Sequence, residues 1–268
     1  MLPTYTATSI IEAPMEGGST QPCLVVASAY NGVPMGQYVV KIFKRRNIEQ
    51  INGTAKEVYA NVLARHFDLK VPEAALIEVE YWLIEQLKAM AAYRNWDITE
   101  GVYFGTCYIR GGIDFTDDVK HKIETWTKEN IFAFDALIRN VDRTPRKKNL
   151  FLANDTIYLI DHELSLSIRR SFDDYIRSND WVFLVNNPKG DKHLFFNDLS
   201  TANKKDKLMF EQFAENLRTL KPKLLIGEAE QLFENGISID DYLPIAQYLK
   251  SASQNTSVFI NSFKTLFS

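Results

Sequence analysis

The sequence has few of the features that define several common protein classes. Cys23 and Cys107 are the only cysteines among its 268 residues, too few and too far apart for a disulfide framework or a zinc site. The 31 basic residues are outnumbered by 34 acidic ones, which gives a formal net charge of −3. Because dedicated nucleic-acid binders usually carry a strong basic excess, the composition argues against nucleic acid as a partner.

Long apolar runs are also missing. No stretch approaches the roughly 20 residues that cross a bilayer, and the first residues, MLPTYTATSII, lack the basic start and apolar core of a secretory signal. We therefore expect a cytoplasmic protein without a membrane partner, whose two cysteines are reduced thiols of the core. A chain of this length buries roughly 75% of its unfolded surface, so its core needs no metal or disulfide.

The chain does show a change of periodicity near residue 112. Before that point, short segments rich in Thr, Tyr, Val and Ile alternate with turn signals such as Asn31-Gly32, which predicts an antiparallel sheet with one or two helices. After it, helical periods dominate. The predicted strands are 4–13, 23–30, 37–44, part of 69–80 and 101–112. The predicted helices are 54–67, 81–93, 127–140, 206–220, 223–235, 239–251 and 255–267.

This shift predicts an α+β fold with two lobes and a cleft between them. The first lobe, residues 1–112, would be sheet-rich, and the second, residues 113–268, mainly helical. The polar stretch 191–207 is expected to be a mobile loop.

The strongest chemical signal lies between residues 133 and 163. A helix ends just before Asp142, and two short apolar strands, 149–152 and 157–160, follow it as a hairpin. Pairing those strands brings Asn149, at the start of one, close to Asp161, at the end of the other. Mg²⁺ prefers one or two carboxylates together with phosphate oxygens, so the pattern indicates a metal site beside an acid. The competing interpretation is an Asx turn at each position.

Other polar side chains of this stretch have supporting roles in our interpretation. Asp135 lies on the buried face of the helix, and we expect it to be paired inside, where it braces the loop. His162 is interpreted as a structural histidine. Four basic side chains form either a solvated loop face or a group that neutralises phosphate or docks a substrate. They are Arg143, Arg146, Lys147 and Lys148.

In the sheet-rich half, Lys41 lies within the apolar run VVKIF. It either points to water from an alternating strand or is held over the α and β phosphates of a nucleotide. Glu57 either completes a capping box that starts at Thr54 or forms an ion pair that orients Lys41 toward phosphate. These two roles compete for one carboxylate.

A glycine-containing loop, residues 16–20, separates the first two predicted strands. It is either an ordinary hairpin turn or a loop that offers backbone amides to phosphate, because glycine permits close approach and exposes N–H groups. The candidate contacts are Gly17, Gly18 and Ser19. The loop is not a Walker A motif, since no Gly-Lys-Ser/Thr follows it.

The order of these segments resembles the HipA-like kinases, in particular their shorter stand-alone branch. The resemblance is carried by YVVKIF, AKEVYANVLARHFDLKVPE, FGTCYIRGG, FDALIRNVDRTPRKKNLFL and IYLIDHE, which together span well over half of the chain. It implies a protein-kinase-like bilobal fold and the transfer of the γ-phosphoryl group of ATP to a Ser or Thr, with ATP and Mg²⁺ as cofactors.

Carried over by position, the resemblance implies that Asp142 is the catalytic base and that Asn149 and Asp161 are the Mg²⁺ ligands. Asn149 follows Asp142 by seven positions, not by the five of ordinary protein kinases. The last metal motif is Asp-His-Glu rather than Asp-Phe-Gly.

The same resemblance implies that Lys41 is the phosphate-binding lysine with Glu57 as its partner, under a loop at residues 16–20. Tyr108 and Ile109 would lie in the hinge beside adenine. An antitoxin-type partner is implied only weakly, because no equivalent of the autophosphorylated serine of the long HipA toxins can be placed in this chain.

Three functions stay open at this point. The first is an ATP- and Mg²⁺-dependent kinase that acts on a protein Ser or Thr. The second is a small-molecule phosphotransferase of the same fold, with a pocket shaped by the polar segment 173–205. The third is a pseudokinase module that binds a nucleotide or a partner protein without turnover.

Overall fold

The structure of the chain is a computed structural model that describes residues 1–15, 21–44, 52–187 and 190–268, apart from the side chain of Pro222. The fold is mixed α+β, as predicted. Its residues divide into two compact units. The first comprises Met1–Tyr59, Pro72–Arg110 and Gly227–Ile239, and the second comprises Ala60–Val71, Gly111–Ile226 and Asp240–Ser268.

Eight strands and ten helices are seen in the described part of the chain. The strands are β1 (Thr4–Glu12), β2 (Cys23–Ser28), β3 (Pro34–Val40), β4 (Ala74–Val79), β5 (Gly101–Cys107), β6 (Ile113–Asp114), β7 (Leu150–Ala153) and β8 (Thr156–Leu159). The helices are α1 (Gly53–His66), α2 (Tyr81–Ala89), α3 (Asp117–Lys120), α4 (Thr125–Leu137), α5 (Phe172–Arg177), α6 (Phe196–Asn203), α7 (Glu211–Thr219), α8 (Ile226–Glu234), α9 (Tyr242–Gln254) and α10 (Thr256–Lys264).

The first unit is built on a closed sheet of five strands in the order β1-β2-β3-β5-β4. The pairs that involve β2, β3 and β5 are antiparallel, as predicted. The sheet closes, however, through a parallel pair of β1 with β4, in which Thr4 lies opposite Leu76. The prediction of a purely antiparallel sheet is therefore wrong at this pair, because local sequence patterns do not show a pairing between strands so far apart along the chain.

One core cluster of this unit combines aliphatic side chains of the strands and of α2 with buried tyrosines. Val25, Val40 and Ile77 from the strands are fully buried and belong to one cluster with Leu83 and Leu87 of α2. Gly105 of β5 is required by close packing, because an added Cβ atom would lie 2.5 Å from Cγ1 of Ile77.

The second unit is mainly helical and has an aromatic core. Phe263 of α10 packs edge-on against Phe210 at a ring-centroid distance of 5.0 Å, and Phe67 stacks on Phe213 of α7 at 4.6 Å. The helix α4 is buried on every side from Asn130 to Leu137, as expected of a central helix. A small antiparallel sheet in the order β6-β7-β8 completes the unit.

Most predicted elements are present, with boundaries that differ by a few residues. The expected mobile loop at 191–207 is an exception, since it contains α6, which buries Leu199. Polar residues on the exposed face of a short helix gave this segment the composition of a loop. No helix in the described parts of the chain combines the length and apolar character needed to cross a bilayer.

Candidate active site

The hairpin of β7 and β8 places Asn149 beside Asp161. Its strands pair from Leu150 opposite Leu159 to Ala153 opposite Thr156, and the N–H of Ile160 donates to the carbonyl of Asn149 at 3.1 Å. The two turn residues between the strands both have positive φ, 48° and 57°, which suits the right-handed twist of a tight hairpin. This confirms the register predicted from the sequence.

Asp142 is positioned by the loop that follows α4. The N–H of Asn140 donates to the carbonyl of Asp135 at 2.8 Å, and its side-chain N–H₂ donates to the Asp135 carboxylate at 2.8 Å. The side-chain oxygen of Asn140 in turn accepts the N–H of Asp142 at 3.0 Å. Asn140 therefore links the buried end of α4 to the backbone of the candidate base.

Arg143 makes a second link from the same carboxylate. Its Nε donates to Asp135 at 2.6 Å, and its Nη1 donates to the carbonyl of Asn149 at 2.5 Å. The side chains of Arg143 and Asp135 are both 0% exposed. The prediction that Asp135 is paired inside and braces the loop is confirmed, whereas the solvated loop face is wrong for Arg143.

Two histidines complete this buried network. Phe195 donates its N–H to Nδ1 of His193, so the proton of this ring lies on Nε2, which donates to Asp135 at 2.9 Å. Burial lowers the pKa of His193, although Asp135 opposes the shift. Nε2 of His162 lies 3.2 Å from Nη2 of Arg143 and acts as an acceptor, since guanidinium nitrogens can only donate.

The charge of Asp135 is stabilised by these donors. Burial acts to raise the pKa of this carboxyl, but Arg143 and the hydrogen bond from His193 outweigh burial and hold the pKa well below its usual range. Asp135 is therefore an anion at the centre of the network, and Arg143 supplies the buried counter-charge.

Lys147 connects the candidate base to the candidate metal ligand. Its Nζ lies 2.5 Å from Oδ2 of Asp142 and 2.7 Å from Oδ2 of Asp161. The side-chain nitrogen Nδ2 of Asn149 lies 3.5 Å from the same Asp142 oxygen. Burial acts to lower the pKa of Lys147, but the charge of Asp161 and the hydrogen bonds to both acids outweigh it and raise the pKa. Asp142 and Asp161 thus share one ammonium group, and Asn149 lies next to Asp142.

Asn149 and Asp161 share a restricted backbone conformation. Their φ angles are 50° and 64°, in the left-handed region where residues other than glycine are uncommon and Asn and Asp are enriched. Residues held in this region tend to cluster at functional sites. The two candidate ligands therefore occupy backbone positions at the ends of the hairpin where Asn and Asp are favoured over most other residues.

The residues fit a magnesium ion by their chemistry. Carboxylate and amide oxygens are the hard ligands that Mg²⁺ prefers, and Asp161 and Asn149 offer one of each kind. A cation, the ammonium of Lys147, already lies between Asp142 and Asp161, so this place is one where the protein stabilises positive charge.

In the first unit, Lys41 and Glu57 form an ion pair between Nζ and Oε1. Lys41 follows directly after β3 rather than lying within it, and its N–H donates to the carbonyl of Phe104 in β5. The side chain of Glu57 is 2% exposed and that of Lys41 is 14% exposed. The capping box is wrong, because Thr54 lies inside α1, which begins at Gly53.

The other predicted nucleotide contacts are only partly described. Tyr108 and Ile109 are half-buried and follow β5, and the N–H of Tyr108 donates to the carbonyl of Gln37 at 2.8 Å. The predicted phosphate contacts Gly17, Gly18 and Ser19 lie outside the described residues. The roles of all these residues stay predictions.

The two cysteines are free thiols. Cys23 is fully buried, and burial raises the pKa of its thiol to about 12. Cys107 is half-buried, and burial raises its pKa as well. Since the thiolate is the reactive form, both are poor nucleophiles, in agreement with the reduced thiols predicted from the sequence.

Sequence reasoning treated the four basic residues of the loop as one cluster, but the structure gives each a different acid. Arg143 pairs with Asp135, Arg146 with Asp191, Lys147 with Asp142 and Asp161, and Lys148 with Asp117. The bridge made by Lys147 was missed. The sequence feature that could have indicated this bridge is the position of Lys147 between Asp142 and Asn149, in the segment that joins the candidate base to the candidate ligands.

Comparison with solved structures gives the fold a precedent. The Helicobacter pylori proinflammatory kinase CtkA matches with a TM-score of 0.51 and 12% identity, over 98% of this chain and 99% of that chain. At this identity the likeness shows a shared fold. The choline kinase LicA from Streptococcus pneumoniae has a TM-score of 0.33 and 15% identity, over 96% of this chain and 93% of that chain, which is too weak to argue from.

Among curated proteins, no match is found. The family model described as HipA-like kinase matches residues 8–242, which include the strands from β2 to β8 and every candidate residue of the site. Because the match covers far more than half of the sequence, the chain belongs to the HipA-like kinase family.

Proposed function

We propose that this protein is an ATP- and Mg²⁺-dependent phosphotransferase that transfers the γ-phosphoryl group of ATP to a Ser or Thr hydroxyl of a protein. The observation that carries the proposal is the position of the Lys147 ammonium between Asp142 and Asp161, with Asn149 adjacent. Phosphoryl transfer relies on cations that neutralise phosphate charge and on a residue that orients the acceptor hydroxyl. The contacts of Lys147 bring a position that stabilises a cation next to the carboxylate of Asp142.

In this proposal Asp142 orients the acceptor hydroxyl and accepts its proton. Asn149 and Asp161 would hold Mg²⁺, which when bound supplies charge neutralisation at the phosphate oxygens. The buried network behind the loop keeps Asp142 in place, since its backbone N–H is bonded to Asn140 and Asn140 to Asp135. Positioning of this kind supplies much of the rate enhancement in phosphoryl transfer.

The nucleotide would be bound by the first part of the chain. Lys41, oriented by its ion pair with the buried Glu57, would contact the α and β phosphates, and Tyr108 and Ile109 would lie beside adenine. The loop at residues 16–20 would cover the phosphates. The proposal thus keeps a bilobal kinase arrangement, with residues 1–112 as the nucleotide-binding lobe and residues 113–268 as the catalytic lobe of a cytoplasmic enzyme.

A second candidate acceptor is a small-molecule alcohol. The second unit contains a cavity of about 810 Å³ that is lined by Asn197, Asp198 and Thr201 of α6 together with residues of α4, and its lining does not include Asp142, Asn149 or Asp161. This volume is within the range of small-molecule sites. The segment expected to be a mobile loop therefore contributes to a pocket wall.

The test is an incubation of the purified protein with γ-labelled ATP, Mg²⁺ and cell lysate, followed by separation of protein from the low-mass fraction. We expect label on Ser or Thr of protein. Asp142→Asn should lower the transfer rate at least about 100-fold, because general-base catalysis contributes that much or more. Mg²⁺-dependent stabilisation by ATP in a thermal shift assay should persist in this variant, since Asp142 is not proposed to bind the nucleotide.

Asp155→Asn is the matched control, because it makes the same change at an exposed acid in the hairpin turn. It should transfer phosphate like the wild type. Label in a low-mass product other than ATP and inorganic phosphate, with none on protein, would favour the small-molecule acceptor. Binding of ATP without transfer to protein, small molecule or water would favour the pseudokinase module and overturn the enzyme proposal.

A further inference from the structure

Lys147 differs from the other basic residues of its loop in what it contacts. Arg143 pairs with Asp135 in the buried network. Arg146 pairs with Asp191, and Lys148 pairs with Asp117. Lys147 contacts both Asp142 and Asp161, the candidate base and a candidate metal ligand. Its ammonium therefore occupies the acidic side of the proposed site.

The ammonium and a metal ion compete for the same oxygen. Mg²⁺ binds carboxylate oxygens at about 2.0–2.1 Å and demands near-octahedral geometry, whereas Nζ of Lys147 lies 2.7 Å from Oδ2 of Asp161. Two cations close to one carboxylate oxygen repel each other. A metal bound through this oxygen therefore weakens or replaces the contact with Lys147.

The structure allows the side chain of Lys147 to move while its backbone stays in place. The N–H of Lys147 donates to Oγ1 of Thr144 at 3.1 Å, and the N–H of Thr144 donates to the carbonyl of Lys147 at 2.8 Å. These reciprocal bonds fix the turn. The side chain itself is 34% exposed and carries its ammonium on a flexible four-carbon stem.

We propose that Lys147 is a built-in competitor for the metal ion: it holds Asp161 and Asp142 in the metal-free protein and gives up Asp161 when the metal binds. Lys147 is thus a positioning residue. It keeps two carboxylates gathered at one point when no metal is present, and it weakens the binding of free metal ions in the absence of nucleotide. The inference rests on the proposed role of Asp161 as a metal ligand.

The competition is measurable without nucleotide and without turnover. Mn²⁺ is a suitable probe, because it prefers the same oxygen ligands as Mg²⁺ and its free concentration is read by electron paramagnetic resonance. Lys147→Met removes the ammonium and keeps an apolar stem of similar length. We expect this variant to bind Mn²⁺ about two- to fivefold more tightly than the wild type, the range that follows from removing a partly exposed ion pair.

Lys148→Met is the matched control, because it removes one positive charge from the neighbouring residue, whose ion pair is with Asp117. It should bind Mn²⁺ like the wild type. Equal affinities in the Lys147 and Lys148 variants would overturn the proposal, since the effect would then be one of net charge. Absence of saturable binding in all three proteins would overturn it as well.

A second variant keeps the inference testable if Lys147→Met does not fold. Lys147→Arg retains the charge and offers a planar fork suited to two carboxylates, so it should bind Mn²⁺ no more tightly than the wild type, and tighter binding would count against the proposal. Failure of this inference is distinct from failure of the proposed function. If the protein transfers phosphate but Lys147→Met does not change the Mn²⁺ affinity, only the proposal that Lys147 competes with the metal is overturned. If Lys147→Met binds Mn²⁺ more tightly but the protein transfers no phosphate, only the proposed enzyme activity is overturned.

Discussion

The loop from Asn140 to Asn149 has an inner and an outer side that use the same kind of residue pair differently. On the inner side, Arg143 and Asp135 are both 0% exposed and share further bonds with Asn140 and His193. On the outer side, Arg146 pairs with Asp191 with its own side chain 67% exposed. These are two Arg–Asp pairs with close contacts, three residues apart along one loop.

The difference between them lies in the cost of separating the partners. A buried charge without its partner cannot be solvated by water, so removing one member of a buried pair is strongly destabilising. An exposed charge is solvated whether or not it is paired, so its ion pair contributes little. The inner side therefore fixes the loop. An ion pair on the outer side can be exchanged for another at little cost, which is what the proposed role of Lys147 requires.

Removing the charge of Asp135 from the inner side of the loop should have the largest effect on stability. Asp135→Asn keeps the shape of the side chain but leaves the buried Arg143 without its counter-charge, so we expect the free energy of unfolding to fall by about 3–5 kcal/mol. The measurement is urea-induced unfolding followed by circular dichroism. Phosphoryl transfer should fall too, because Asn140 and Arg143 position Asp142 and Asn149.

A double-mutant cycle supplies the control for this prediction. Asp135→Asn combined with Arg143→Met removes both charges, and the two losses should be clearly less than additive, since residues in one network typically couple by about 0.5–3 kcal/mol. Losses that add to within a few tenths of a kcal/mol would show that Asp135 and Arg143 do not stabilise each other.

A change of pH tests the inner side of the loop through His193, and we expect its effect on the free energy of unfolding to be intermediate. The pKa of His193 is lowered in the folded protein, so below the ordinary value near 6.5 the unfolded chain binds a proton that the folded chain does not. The contribution of this group to stability is therefore complete above about pH 6.5. It falls as the pH drops toward the folded pKa, by at most about 1.4 kcal/mol per pH unit.

His193→Gln isolates this contribution, because glutamine keeps a donor toward Asp135 and does not titrate. Urea midpoints of the wild type and this variant, compared at pH 7.5 and 5.5, should show a larger loss at low pH for the wild type. The other three histidines are present in both proteins and cancel in the difference. The same pH dependence in both proteins would mean that His193 does not stay neutral on folding.

The outer side should show the smallest effect. Arg146→Met removes the exposed pair with Asp191, and we expect the free energy of unfolding to change by no more than about 0.5 kcal/mol. The measurement is the same urea titration. A loss comparable to that of Asp135→Asn would abolish the distinction between the two sides of the loop.

The sequence was enough to predict most of the helices and strands and the proximity of Asp142, Asn149 and Asp161. The hairpin is local, so its register could be inferred from two apolar runs and the turn between them, and this placed Asn149 beside Asp161. The interior position of Asp135 followed from the helical period of α4. The ion pair of Lys41 with Glu57 was one of two stated options, and the position of Thr54 inside α1 excludes the other.

What could not be predicted depends on contacts between distant segments. The parallel pair of β1 with β4 closes the sheet across a long stretch of chain, and no local pattern marks it. The burial of Arg143 depends on Asp135 and on His193, which comes from a segment expected to be mobile. A run of four basic residues gives no sign of which one turns inward, because that choice depends on where the acids of the folded chain lie.

The left-handed conformation of Asn149 and Asp161 has a consequence for the design of variants. An alanine at either position would remove an oxygen ligand and at the same time strain the backbone, since alanine lacks the local hydrogen bonding that lets Asn and Asp adopt positive φ. Loss of function in such a variant would confound two causes. Glycine adopts this conformation without steric cost. Asn149→Gly and Asp161→Gly are therefore the substitutions that remove the oxygen ligand and keep the backbone conformation.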